Sequence, residues 1–169
     1  MTAYIKKGFT LIELLIVMAI LGVLAVIVLV AINPVEQLAR ARDTGRISAV
    51  QQLGRAVVAY YTSNQQYPLG ASWSTDITAS GDLNTFPTSV STADAACGTN
   101  AVNGYCYNVA TVVNTNDQAV VYSQLISQQQ INKCAAGQTP YSVFSTFDGR
   151  GGVTCGAAEP AAGVTLTYY

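Results

Sequence analysis

Polar and apolar positions along the chain fall into three successive regimes. Residues 9–32 form a run of 24 with a single ionisable group, Glu13. Roughly 20 apolar residues suffice for a helix to cross a bilayer, so this run predicts a membrane-spanning helix. From Val35 to about Thr62 the pattern turns amphipathic: Ile47, Val50, Leu53, Val57 and Tyr60 recur at spacings of three and four, the signature of a helix with one buried face. The third regime is β-like. Tyr105, Tyr107, Val109, Thr111 and Val113 alternate with small or polar residues, and Val120-Val121-Tyr122 continues the signal after the turn-forming Asn114-Thr115-Asn116-Asp117. That reads as a hairpin. Residues 141–147 predict a third strand, Asp148-Gly149 a tight turn, Val153-Thr154-Cys155 a short edge strand, and residues 164–169 a last one. The fold class expected is α+β, with a long N-terminal helix, half spanning and half amphipathic, packed on a small antiparallel sheet.

The joints between these regimes are marked by special residues. Gly22 lies within the apolar run, where glycine weakens a helix by up to ~1 kcal/mol relative to alanine. Pro34 lacks a backbone N–H and breaks or kinks a helix around residues 30–34. Gly22 and Pro34 are therefore the expected helix-break positions, with Asn33 placed to cap a new helix. Tyr67-Pro68 closes the amphipathic helix, because a residue before proline avoids the helical region. Residues 69–104, rich in Gly, Ser, Thr, Asp and Asn, are expected to form a long connecting loop. The expected organisation is a leader at 1–8, a spanning helix at 9–33, an amphipathic helix at 34–62 and a head at 63–169. The head divides into the loop 69–104 and a β region 105–169.

Charge refines this picture. Residues 1–60 carry six basic and three acidic side chains, and residues 61–169 carry two basic and six acidic. The net charge of −1 thus hides a basic stem and a weakly acidic head. No basic patch interleaved with aromatics suggests nucleic-acid binding in the head. Lys6 and Lys7 precede the apolar run and predict a cytoplasmic N-terminus with the head outside. The absence of histidine removes Ser-His and Cys-His catalysis and histidine-based metal sites.

Four cysteines, Cys97, Cys106, Cys134 and Cys155, lie in the head without a CxxC pair. An even number in a polar head predicts two disulfides in an oxidising compartment. Of the three connectivities the sequential one, Cys97–Cys106 with Cys134–Cys155, is expected, and four free thiols are the alternative. Turn aspartates account for Asp117 and Asp148 better than calcium binding does, so no metal site or cofactor is expected.

Glu13 is the residue that a plain anchor does not explain. A lone carboxylate in hydrocarbon costs several kcal/mol and ordinarily marks a function with a partner. A cut after Gly8 would create an α-amine at Phe9, with an ordinary pKa near 8, able to pair with a Glu13 carboxylate of the same or a neighbouring chain.

The stretch Gly8-Phe9-Thr10-Leu11-Ile12-Glu13-Leu14-Leu15-Ile16-Val17 closely resembles the type III signal and helix of type IV pilins and of type II secretion pseudopilins. The resemblance covers about 25 residues closely and the head only loosely. It implies cleavage of the Gly8–Phe9 bond by a prepilin peptidase, N-methylation of Phe9, and Glu13 as the assembly glutamate. It further implies a self-assembling, homopolymeric filament served by an inner-membrane platform protein and an assembly ATPase. The precursor would lie in the inner membrane and the product in a cell-envelope or extracellular filament. In many pilins the helix-breaking proline sits at the position of Val30, about one turn earlier than Pro34. The break is then either a segment that melts when subunits pack into a filament and lets the fibre stretch, or a helix break at the membrane surface with Asn33 capping a new helix; the two are compatible. Arg40, Arg42, Asp43, Arg46 and Arg55 lie on the polar side of the amphipathic helix; in such assemblies some of them would pair with acids of neighbouring subunits, and a solvated face or lipid headgroup contact is the alternative. The placement of Cys134 and Cys155 resembles the C-terminal disulfide loop of type IV pilins. The function expected is a non-enzymatic pilin. A major pseudopilin of a type II secretion system is the nearest alternative, and a membrane-tethered extracellular binding protein or enzyme a distant one.

Overall fold

A computed structural model describes residues 8–88, 100–112 and 115–169, with backbone alone at 111, 112, 115 and 116. Lys6, Lys7, Cys97, Val113 and Asn114 lie outside the described residues. The chain divides between Gln37 and Leu38 into two compact units. The element order is α1 (Leu11–Ile32), α2 (Pro34–Asn64), α3 (Trp73–Ala79), β1 (Cys106–Val112), β2 (Thr115–Gln124), α4 (Gln128–Ile131), β3 (Thr139–Ser145) and β4 (Arg150–Gly156).

In the first unit, α1 runs 22 residues with no buried side chain. It is long and apolar enough to cross a membrane, by length and composition. In the single chain α1 runs unbroken through Gly22. A glycine weakens a helix only modestly, and a Cβ built there would meet nothing within 4 Å, so neither backbone nor packing forces an interruption. The interruption falls at Asn33, whose backbone is left-handed (φ 41°, ψ 78°). Asn33 also opens the next helix, since its Oδ1 and its carbonyl accept from the amides of Glu36 (3.4 Å) and Gln37 (3.3 Å). Asparagine tolerates this conformation better than a branched residue, and Pro34 then occupies the first helical position, where its missing N–H leaves no bond unmade.

The second unit is built on a four-stranded antiparallel meander in the order β1-β2-β3-β4. The β1–β2 hairpin is tighter than expected: Thr115, Asn116 and Asp117 belong to β2 rather than to a turn. A register shift between Ala110 and Thr111 absorbs the mismatch, as a bulge does. On one face of the sheet, Val50, Leu53, Ala56 and Val57 of α2 pack with Tyr105, Tyr107, Ala119 and Val121. Gly54 permits this approach, because a Cβ there would lie 2.1 Å from Phe144 Cγ. On the other face Cys106, Val120, Tyr122, Tyr141 and Val143 form a second cluster, covered by Ala162, Leu166 and Tyr168 of the C-terminal segment.

The connector after α2 is more ordered than its composition suggests. It contains α3, and Trp73 at its start is fully buried, stacked on Tyr107 at 5.0 Å and edge-on to Phe86 at 5.2 Å. The indole N–H donates to the Asn100 carbonyl (3.1 Å). A wide aromatic surface in a polar stretch has enough apolar area to pull the segment onto the core.

The C-terminal residues 164–169 do not form the expected strand. They make one bridge, Thr154 with Tyr168, because the segment is held largely by side chains. Asp148 Oδ2 accepts from the Leu166 amide (3.2 Å) and the Tyr168 hydroxyl (2.9 Å). Tyr122 likewise donates to Glu159 Oε2 (2.7 Å).

Two outcomes are expected. Gly54→Val should lower stability by about 1–3 kcal/mol through overpacking against Phe144, read as a lower denaturant midpoint; an unchanged midpoint would mean the helix and sheet separate freely. Burial, seconded by the carboxylate of Asp148, pushes the Tyr168 phenol up to about 12. Burial and then Glu159 push Tyr122 up in the same direction. Both folded values lie above the unfolded value of about 10. Their contribution is therefore complete below that pH and lost as pH rises through the folded values. The denaturant midpoint should hold from neutral pH to about 10 and fall towards about 12 as phenolate absorbance appears.

Candidate assembly site

The N-terminal turn of α1 is a reciprocal cap. Thr10 precedes the first helical residue with an extended backbone (φ −84°, ψ 150°). Its hydroxyl accepts from the Glu13 amide (3.3 Å). Glu13 Oε2 in turn accepts from the Thr10 amide (2.9 Å) and the Thr10 hydroxyl (2.7 Å). Threonine followed three residues later by glutamate is the capping-box pattern, and it stands in the sequence as Thr10-Leu11-Ile12-Glu13. That signal identifies Thr10, which the reading of Glu13 as a lone intramembrane acid passes over.

This geometry changes what Glu13 does within one chain. The carboxylate satisfies one of the helix's orphan N–H donors and sits at the positive end of the helix dipole. Two hydrogen bonds also lower the penalty of carrying it into an apolar medium. Both bonds fall on Oε2; Oε1 has no partner among the described residues. Phe9, one residue before the cap, is 85% exposed. Gly8 is exposed as well. Gly8, Phe9 and Glu13 lie within six consecutive residues, whereas Gly22 and Pro34 lie further along the chain.

Behind the cap, every side of α1 is exposed and all but uniformly apolar. A helix apolar all round belongs in lipid or among other helices. The arrangement offers an anchoring and packing surface and no constellation for acid–base or nucleophilic chemistry. Among the described residues no group of three or more His, Cys, Asp or Glu side chains is placed to hold a metal.

Two residues of the polar side of α2 are not on a solvated or intersubunit face. Asp43 and Arg46 are buried. Asp43 accepts from the amides of Ile126 (3.0 Å to Oδ1) and Ser127 (2.8 Å to Oδ2). Arg46 donates to the Gln124 carbonyl (3.0 Å) and lies 3.7 Å from Asp43. Their spacing in the sequence matches that of solvent-facing charges; what buries them is the loop after β2, whose free backbone groups need partners. Arg40 and Arg55 are exposed.

The Cys134–Cys155 bridge is present, with Cα atoms 5.5 Å apart, and ties the stretch after α4 to β4. Cys106 is fully buried, and its expected partner Cys97 lies outside the described residues. Asp148, weighed as a calcium ligand, instead spends its carboxylate on Leu166 and Tyr168.

Residues 5–29 match the family model of the prokaryotic N-terminal methylation motif. The chain is similar to a fimbrial protein of Neisseria meningitidis serogroup A, 40% identical over 78 residues, which is 43% of this chain and 45% of that protein. The chain therefore spans less than half the length of this curated relative. No solved structure matches.

The cap makes a prediction of its own. Thr10→Val should weaken the first turn of α1 by about 0.5–2 kcal/mol, seen as faster hydrogen exchange of the Glu13 amide in detergent micelles. Thr10→Ser should restore the protection.

Proposed function

We propose that this chain is a structural subunit of a type IV pilus-like filament, a reading supported by its methylation motif and its likeness to a fimbrial protein. The observation that carries the reading is a carboxylate held at the tip of a helix with no buried residue, inside the methylation motif. α1 anchors the precursor in a membrane, with the N-terminus on the cytoplasmic side. A prepilin peptidase cuts the Gly8–Phe9 bond and methylates the new Phe9 amine. A platform protein and an ATPase then move the subunit into a homopolymer whose interior is made of apolar helices and whose exterior is made of heads.

The physical logic rests on two terms. Helices apolar on every side lose little on passing from lipid to contact with one another, so dispersion and packing alone discriminate poorly between registers. Charge discriminates well. Glu13 Oε1 is available as an acceptor beside the Thr10 cap, and the Phe9 amine would arise one residue before the Thr10 amide that already binds this carboxylate. In a low dielectric, an amine and a carboxylate brought together are favoured far more strongly than in water. An acid left without the amine pays its desolvation alone. Correct stacking therefore satisfies Glu13, and slipped stacking does not.

One experiment separates processing from assembly. In cells that possess the peptidase, the mature chain should have the mass of a product beginning at methylated Phe9; a product beginning at Met1 refutes the reading. Glu13→Ala should leave cleavage largely intact and reduce sheared filament yield to background. Normal filaments from that variant would remove charge pairing as the register device.

A further inference from the structure

The C-terminal segment is attached to the head in a different way from any other part of it. Of residues 157–169, Pro160 alone is buried. Yet the segment covers a face of the sheet whose own residues are closed off: Cys106, Val120 and Val143 are fully buried and Tyr122 and Tyr141 nearly so. The cover is made by few apolar contacts, from Ala162, Leu166 and Tyr168. Shallow contact and exposed backbone are the marks of a segment that opens at low free energy while the rest of the domain stays folded.

Its near end is tied by the Tyr122 hydroxyl to Glu159 (2.7 Å) and by the Ala162 amide to Asn108 Oδ1 (3.4 Å), and its far end is held by more groups. Asp148 accepts from Leu166 and Tyr168. Arg150 lies over the Tyr168 ring, 4.0 Å from Cζ to centroid. Gly152 makes room for that ring, since a Cβ there would stand 2.7 Å from Tyr168 Cδ1. The Thr154 hydroxyl donates to the Thr167 carbonyl (2.8 Å), and the Tyr169 amide to the Val153 carbonyl (3.1 Å). Every one of these partners lies in the β3–β4 turn or on β4. Tyr169 completes the set from the other side of the disulfide, with Lys133 Nζ 5.3 Å from its ring centroid and its hydroxyl 3.8 Å from Cys134 Sγ. The bridge from Cys134 to Cys155 joins the two surfaces on which the last residues sit.

We propose that residues 159–169 are a strap that closes over the outer face of the sheet and is kept shut by the Cys134–Cys155 bridge together with the Asp148 carboxylate. The bridge brings the stretch around Lys133 against β4, and the two together form the seat for Tyr168 and Tyr169. Without it the seat is split, the strap tip loses Lys133 and Cys134 as partners of Tyr169, and the apolar face beneath becomes accessible. The α2 side of the sheet has its own core and its own ties, among them Gln51 Nε2 to the Val143 carbonyl (3.3 Å), and does not depend on the strap. The head therefore closes in two steps: α2 against the sheet, then strap over the opposite face once the bridge is in place.

Hydrogen–deuterium exchange of the full chain in detergent micelles, read by mass spectrometry, tests this without reference to filaments. The double variant Cys134→Ser, Cys155→Ser leaves Cys97 and Cys106 untouched. It should raise exchange in residues 160–169 about tenfold and leave residues 46–57 of α2 at the parent rate. Asp148→Asn, with the bridge intact by thiol assay, should accelerate the same C-terminal residues and again spare α2. A strap that exchanges at the parent rate in either variant overturns the proposal. So does acceleration in residues 46–57 equal to that of the strap, which would make the bridge a support of the whole head instead of a keeper of one segment.

Discussion

A helix that is apolar on every side has no stable place in water within a single small chain. The 22 residues of α1 expose their side chains all round, and only lipid or other helices can take that surface out of solvent. The remaining features follow from this constraint. The apolar character must stop, and it does so at Asn33 and Pro34. Beyond that helix the chain must close a core of its own, and α2 supplies one amphipathic face for the purpose. A core of this size in about 130 residues is modest, and the sheet is covered on both sides, by α2 on one face and by the C-terminal segment on the other.

Within that constraint, the single acid has two compatible roles. In one chain Glu13 caps its own helix through Thr10. That role answers the objection that a carboxylate at the edge of an apolar run is unaffordable, because the hydrogen bonds are local and travel with the helix. It also leaves a lone pair for a further donor. In the filament proposed above, the capping glutamate and the register-setting glutamate would be the same residue in two states of association. The local bonds hold the carboxylate in one orientation before any neighbour arrives.

Much of the fold could be read in advance because its signals are local. The unbroken apolar run, the three-and-four spacing of Val50, Leu53 and Val57, the alternation from Tyr105 to Val109 and the Asp148-Gly149 turn each follow from a few neighbouring residues. The misreadings came from long-range terms. Asp43 and Arg46 have the spacing of surface charges; only backbone groups about eighty residues away, the amides of Ile126 and Ser127 for Asp43 and the carbonyl of Gln124 for Arg46, bury them. Trp73 lies in a polar stretch and is drawn in by Tyr107 and Phe86. The last residues looked like a strand and are fastened by a turn aspartate instead. At the site, Glu13 was legible by its isolation. Thr10 was legible too, through the capping-box spacing, and was hidden by the attention its partner attracts.

The loop that carries α4 is fixed at both ends and at neither by its own middle. Asp43 and Arg46 hold its entry at residues 124–127, and the disulfide holds Cys134 at its exit. Between and just beyond these points, Ile131, Asn132, Lys133 and residues 135–138 are exposed, and Gly137 adopts a positive φ with open space around it. Lys133 apart, which lies over the Tyr169 ring, the rest of the domain registers where this stretch begins and ends but not what it contains. Changes of sequence at residues 135–138 face almost no structural veto. A surface with that freedom can diversify rapidly while the core beneath it keeps its sequence.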